Sequence, residues 1–142
     1  MKIPSYGTFF KFVNDKAQAL FEDNKMSLNI VKKYIESKSK SGFSWGILFL
    51  YLRTIHLSNA KKYLQTTDIQ LATNIELFII STDILDDLMD KDSDMLTYSR
   101  ADYHSSKQIL EKTLSSLKKN LNSVNNKADI WLDLRQYSGH IF

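Results

Sequence analysis

The sequence predicts an all-α protein, and three observations predict it. Proline occurs once and glycine four times in 142 residues, so the residues that most often interrupt regular structure are scarce. Apolar side chains recur three and four residues apart through long stretches, the period of helices with one face in a core. Hydrophobic residues make up 43% and charged residues 25%, close to globular averages, which implies one packed domain rather than a disordered chain. Together these point to a helical bundle. The chain has no cysteine, which excludes a disulfide framework and thiol chemistry and fits a reducing, cytoplasmic compartment. Its net charge of +3 comes from scattered lysines without a basic stripe, so nucleic acid is not an expected partner.

Taken in order, the first element is a short amphipathic helix within residues 1–24, starting after Pro4. Phe9, Phe10, Phe12, Val13, Leu20 and Phe21 are its apolar residues. That stretch lacks the basic start, continuous apolar run and small-residue cleavage site of a signal peptide. Ser27 is the expected cap of a second helix running to about Glu36, with Leu28, Val31, Tyr34 and Ile35 as its buried stripe. Residues 37–42, SKSKSG, then read as a loop, with Lys38 and Lys40 as solvated charges or phosphate contacts.

Residues 43–59 form a strongly apolar third helix containing Trp45, Leu48, Phe49 and Leu52, too short to span a bilayer. Arg53, a single arginine late on that helix, reads as a surface residue favoured by the helix dipole, with pairing to a carboxylate or a diphosphate as the alternative. After a polar link comes the stretch that organises the chain, residues 67–94. Thr67 followed by Gln70 gives a capping-box start, and Leu71, Ile75, Phe78, Ile79, Leu85, Leu88 and Met89 keep helical spacing, as in a helix buried in a bundle.

Into that setting the sequence places Asp83, Asp86, Asp87 and Asp90, at i, i+3, i+4 and i+7, so one face carries all four. Each like-charged i,i+4 pair costs about 0.2–0.5 kcal/mol, and acids near a helix C-terminus oppose the macrodipole. A hard divalent cation such as Mg²⁺ or Mn²⁺ would relieve the repulsion, with water and phosphate oxygens completing its shell. An acidic helix end facing solvent is the plainer alternative. Asp90, Asp92 and Asp94 match the start of a calcium loop, but Met95 and Ala101 stand where glycine and a bidentate glutamate are required.

Beyond residue 94, Leu110, Leu114, Leu117 and Leu121 give a helical stripe and predict a helix over residues 101–122, with Lys107, Lys112, Lys118 and Lys119 around it. Residues 123–127 read as a turn. Ile130, Trp131, Leu134 and Tyr137 predict a short last helix over residues 128–137, with Asp129 and Asp133 as surface charge.

Ile75-Glu76, nine residues, then Asp86-Asp87-x-x-Asp90 resembles the first aspartate-rich motif of the trans-isoprenyl diphosphate synthases. The wider stretch from Gly42 to Asp94, with Phe43-Ser44-Trp45, is most similar to the ComQ-like competence-pheromone-modifying prenyltransferases. The resemblance implies an isoprenoid-synthase type of helical bundle. It also implies a magnesium-dependent prenyltransferase that takes an allylic prenyl diphosphate, geranyl or farnesyl, and modifies a tryptophan of a peptide. Asp86, Asp87 and Asp90 would then be the catalytic metal ligands, with Asp83, Glu76, Arg100 and Lys40 as weaker substrate-binding candidates. A homodimer is the family's usual state. The Gly-Gly-Lys-Arg signature for isopentenyl diphosphate is replaced by Ser41-Gly42-Phe43-Ser44, and no second aspartate motif follows. The implied bundle is therefore incomplete, with a middle section of the family fold missing. A non-catalytic relative, a helical binding module and a fragment of a short-chain isoprenyl diphosphate synthase stay open as alternatives.

Overall fold

A computed structural model describes residues 2–91 and 93–123. They form five helices: α1 (Tyr6–Leu20), α2 (Lys25–Ser39), α3 (Trp45–Asn59), α4 (Thr66–Asp90) and α5 (Arg100–Ser123), with no strand among the described residues. The expected helix over residues 128–137 lies outside the described residues.

The starts of the helices are set by short side chains. Ser5 accepts from the Thr8 N–H ahead of α1, and Ser44 accepts from the Ile47 N–H ahead of α3. The cap of α2 is Asn24, not Ser27. The Asn24 carboxamide accepts from the Ser27 N–H, so the helix begins three residues earlier than expected and buries Ser27. α2 also runs on to Ser39, which places Lys38 in its last turn rather than in a loop. At α4 the capping residues are Gln65 and Asp68 instead of Thr67 and Gln70, the Gln65 N–H donating to Asp68 Oδ2 at 2.8 Å.

α4 is the axis of the bundle, with α1, α2, α3 and α5 all packed against it. Leu71, Leu77, Ile80, Ile84 and Leu88 are fully buried along it. Each such side chain contributes roughly 1.5–3 kcal/mol of burial free energy. Met89, expected in the buried set, is 69% exposed at the helix end, and Phe78, Ile79 and Leu85 are only half-buried.

α3 returns against the first half of α4 through a close approach at Gly46. A Cβ there would collide with the Phe9 ring of α1 and come within 2.6 Å of the Ala72 carbonyl of α4. Further along the same contact, Arg53 Nε donates to Asp68 Oδ1 at 3.1 Å, both side chains being about 5% exposed. Arg53 is thus a buried ion-pair member: of its two readings the carboxylate pairing holds and the surface one does not. The reason is positional, because the residue facing it on α4 is the same aspartate that caps that helix.

α5 runs antiparallel to α4. Tyr103 donates to the Leu88 carbonyl, Thr113 to Ser81, and Ser116 to Asn74 at 2.8 Å. The face of α5 in the core is Ser105, Ser106, Ile109, Thr113 and Ser116, whereas Leu110, Leu114, Leu117 and Leu121 are half-exposed. The leucine stripe therefore does not form the main contact. Small hydroxyl residues let two long helices approach closely, and Thr113 and Ser116 bond polar groups of α4, which leucines cannot do, while the buried Ser106 hydroxyl has no partner.

Candidate functional site: an acid-walled pocket between α2 and α4

Tyr34 and Lys38 lie one turn apart on α2, and Asp83 and Asp87 lie one turn apart on α4. Packing α2 on α4 therefore brings the four together. The Tyr34 hydroxyl donates to Asp87 Oδ2 at 2.6 Å, and Lys38 Nζ reaches Asp83 Oδ2 at 3.4 Å. Around these contacts is a cavity of about 320 Å³. α4 gives it Ile80, Asp83, Asp86 and Asp87; α2 gives Tyr34, Ser37 and Lys38; Ser41 and Met95 close its ends.

The electrostatics follow from burial and crowding. Burial is the main force raising the Asp83 pKa; the Lys38 ammonium opposes it, and the charges of Asp87 and Asp86 add to the rise. Tyr34 is held well above the ordinary phenol range, by burial first and by its bond to Asp87 second, so it stays a proton donor. The Tyr34–Asp87 and Lys38–Asp83 contacts each engage Oδ2 of the carboxylate.

Two of the motif acids stand elsewhere. Asp90 is the last residue of α4, exposed, and outside the cavity. Lys91 follows it in the left-handed conformation at φ 55° and ends the helix. Glu76 is fully buried beneath the pocket, one turn of α4 before Ile80, and accepts from the Ser44 hydroxyl at the start of α3. Its Oε2 has no hydrogen-bond partner. The sequence-predicted contacts Lys40 and Arg100 are not brought in either. Lys40 is exposed and paired with Glu36 at 3.2 Å, and Arg100 is exposed at the first turn of α5. Tyr34, placed by its periodicity in the core stripe, does face inward, but its hydroxyl belongs to the site. Its spacing of four from Lys38 was the available signal, hidden while Lys38 was taken to lie in a loop.

The donor set suits a hard divalent cation: Asp86 and Asp87 are adjacent carboxyl groups at the cavity wall. Among the described residues no three carboxylate or imidazole groups are arranged to hold a metal ion by themselves. One or two carboxylates with water and phosphate oxygens is the ordinary magnesium arrangement, so the residues fit that ion in company with a phosphate. A larger cavity, about 520 Å³, lies between α1, α4 and α5 and is lined by Phe12, Lys16, Ile69, Gln70, Thr73 and Asn120 among others. None of the motif acids lines it, so its size does not make it the chemical centre.

Glu76 gives a pH prediction. Burial raises its pKa above the ordinary value of 4.5, while the Ser44 bond, Lys38 and the Gly46 N–H pull it down. Below the ordinary value both folded and unfolded chains hold the proton, and the site costs nothing. As pH rises the unfolded chain ionises first, so stability falls until the raised folded pKa is passed. Glu76→Gln, which removes the charge and keeps the shape, is expected to stabilise the fold by about 1–3 kcal/mol at about pH 8. It should change little at about pH 4. Urea midpoints at the two pH values measure this; a variant less stable than wild type at the higher pH contradicts it.

Fold and site together define an all-α bundle with an acid-walled pocket between its second helix and its central helix. Compared with protein-family models, curated proteins and solved structures, the chain matches none. No helix among the described residues is long and apolar enough to cross a membrane.

Proposed function

We propose that this chain is a magnesium-dependent prenyltransferase of the isoprenoid-synthase type, acting in the cytoplasm on an allylic prenyl diphosphate and a tryptophan-containing peptide. The observation that carries the reading is the convergence of Asp83, Asp86 and Asp87 on one cavity that also holds a lysine. Asp86 and Asp87 would hold the divalent ion, with Asp83 oriented beside them by Lys38. When bound, magnesium supplies charge neutralisation for the leaving pyrophosphate.

The chain's own residues do the rest. Tyr34 fixes the orientation of Asp87 through one oxygen. Lys38 places positive charge where the diphosphate oxygens would lie. The cavity is lined by polar and apolar surface in similar share, with room for a diphosphate head beside Asp83, Asp86 and Asp87. The tail lies along half-buried Ile75 and Ile79, which helical spacing puts on the Asp83–Asp86 side of α4. Those side chains exclude water from the reacting carbon. With carboxylates on one helix only, turnover is slow in a single chain, and a homodimer is the expected working form.

Farnesyl diphosphate titrated with and without magnesium tests the reading. Binding is expected only with the metal and is expected to weaken by at least roughly tenfold in Asp87→Ala. Metal-independent binding, or an unaffected variant, removes the reading. Failure to prenylate a tryptophan peptide despite such binding would leave a binding protein of the same ligand.

A further inference from the structure

The larger cavity, about 520 Å³, is a cleft between α1, α4 and α5 at the end of the bundle where α4 starts and α5 finishes. Phe12, Ala19 and Ile69 give it an apolar wall, and Asn120, in the last turn of α5, also lines it. Phe12 is 39% exposed, whereas Phe9 and Phe10 on the same helix are in the core. An aromatic ring left beside a cavity of this size is surface that gains by being covered. The charged residues of the lining, Asp15 and Lys16, are of opposite sign, so the cleft favours an occupant without net charge.

Where α5 stops points to the occupant. Ser123 ends that helix less than one turn after Asn120, and residues 124–142 continue from there. That stretch carries Ile130, Trp131, Leu134, Tyr137 and Ile141, at the spacing that puts apolar residues on one side of a helix. Its acids Asp129 and Asp133 are matched by Lys127 and Arg135, so it meets no repulsion in the cleft. The turn that the sequence predicts at residues 123–127 returns the chain beside the last turns of α5, and connections of that length are usual between antiparallel helices. Attachment at the rim also gives the segment a high effective concentration at the cleft, an advantage that a separate molecule lacks. We propose that residues 124–142 fold back into this cleft and close it, with Trp131 seated against Phe12 and Ile69. The cleft is then a packing seat for the chain's own segment and not a ligand site. This closure does not depend on what the acid-walled pocket binds.

The chain has no cysteine, so one introduced thiol reports on the cleft without background. Ala19→Cys puts the thiol on an exposed residue of the lining. Ser58→Cys puts a control on the exposed end of α3, which does not line the cleft. The measurement is the rate of reaction with a bulky maleimide, on the full chain with and without Trp131→Ala. At Ala19→Cys the reaction is expected to be about tenfold or more slower while Trp131 is present, and at Ser58→Cys equally fast in both. Trp131→Phe, which keeps an apolar ring, should retain most of the protection. Equal rates at Ala19→Cys with and without Trp131 overturn the proposal and leave the cleft open to a small molecule. Protection that disappears on dilution overturns it in favour of a second copy. Acceleration of both thiols alike by Trp131→Ala shows general loosening and removes the assignment too.

Discussion

Gly46→Ala is expected to destabilise the protein by about 1–3 kcal/mol or more, against the usual gain of roughly 0.5–1 kcal/mol for removing glycine from a helix. Gly46 lies in the first turn of α3, where an alanine ordinarily helps. Here the new methyl would meet the Phe9 ring, which is fully buried and has no free rotamer to take up, and the Ala72 carbonyl at 2.6 Å. The second obstacle is backbone of the central helix, so relief requires α3 to move away as a body. That movement also pulls Ser44 from Glu76. Gly46→Val should leave the chain unfolded under conditions where wild type is folded. The urea midpoint is the measurement, and an alanine variant as stable as wild type would show that α3 does not sit this close to α4.

The second large effect is at Arg53. Removing one member of a buried ion pair leaves an uncompensated charge, at a cost of about 3–5 kcal/mol. Arg53→Met is expected to cost that much, because Asp68 has little access to water and cannot turn outward without releasing the Gln65 N–H that it caps. Arg53→Met with Asp68→Asn should recover part of the loss, since the amide is neutral and still accepts from Gln65. Thermal melts of the single and double variants give the coupling directly. If the two single losses simply add, the pair does not act as a unit.

The contrast between these residues and the helices around them explains what was legible in the chain. Periodicity of three and four found α1 to α5 because that repeat is a property of neighbouring residues. The caps of α2 and α4 moved by three and two residues because Asn24 and Gln65 compete with nearby Ser27 and Thr67 for the same helix starts. The leucine stripe located α5 but did not show which residues face α4. Hydropathy ranks leucine above serine, but Ser81 and Asn74 on α4 made Thr113 and Ser116 the better-matched surface. For Arg53 a carboxylate partner was legible as an alternative, but not which one or that the pair is buried, since Asp68 is fifteen residues away across a turn.

By itself the sequence determined an all-α chain and one helix on which Asp83, Asp86 and Asp87 recur within a single turn. Both are consequences of a fixed rise and rotation per residue. Only the tertiary structure decided that Asp83 and Asp87 meet Lys38 and Tyr34 while Asp90 stays outside, and that Glu76 serves Ser44. Those outcomes depend on how α2 and α3 are set against α4. The setting of α3 is held by the close approach at Gly46 and the buried Arg53–Asp68 pair, and the α2 side of the site by the Tyr34–Asp87 and Lys38–Asp83 contacts, all between residues far apart along the chain.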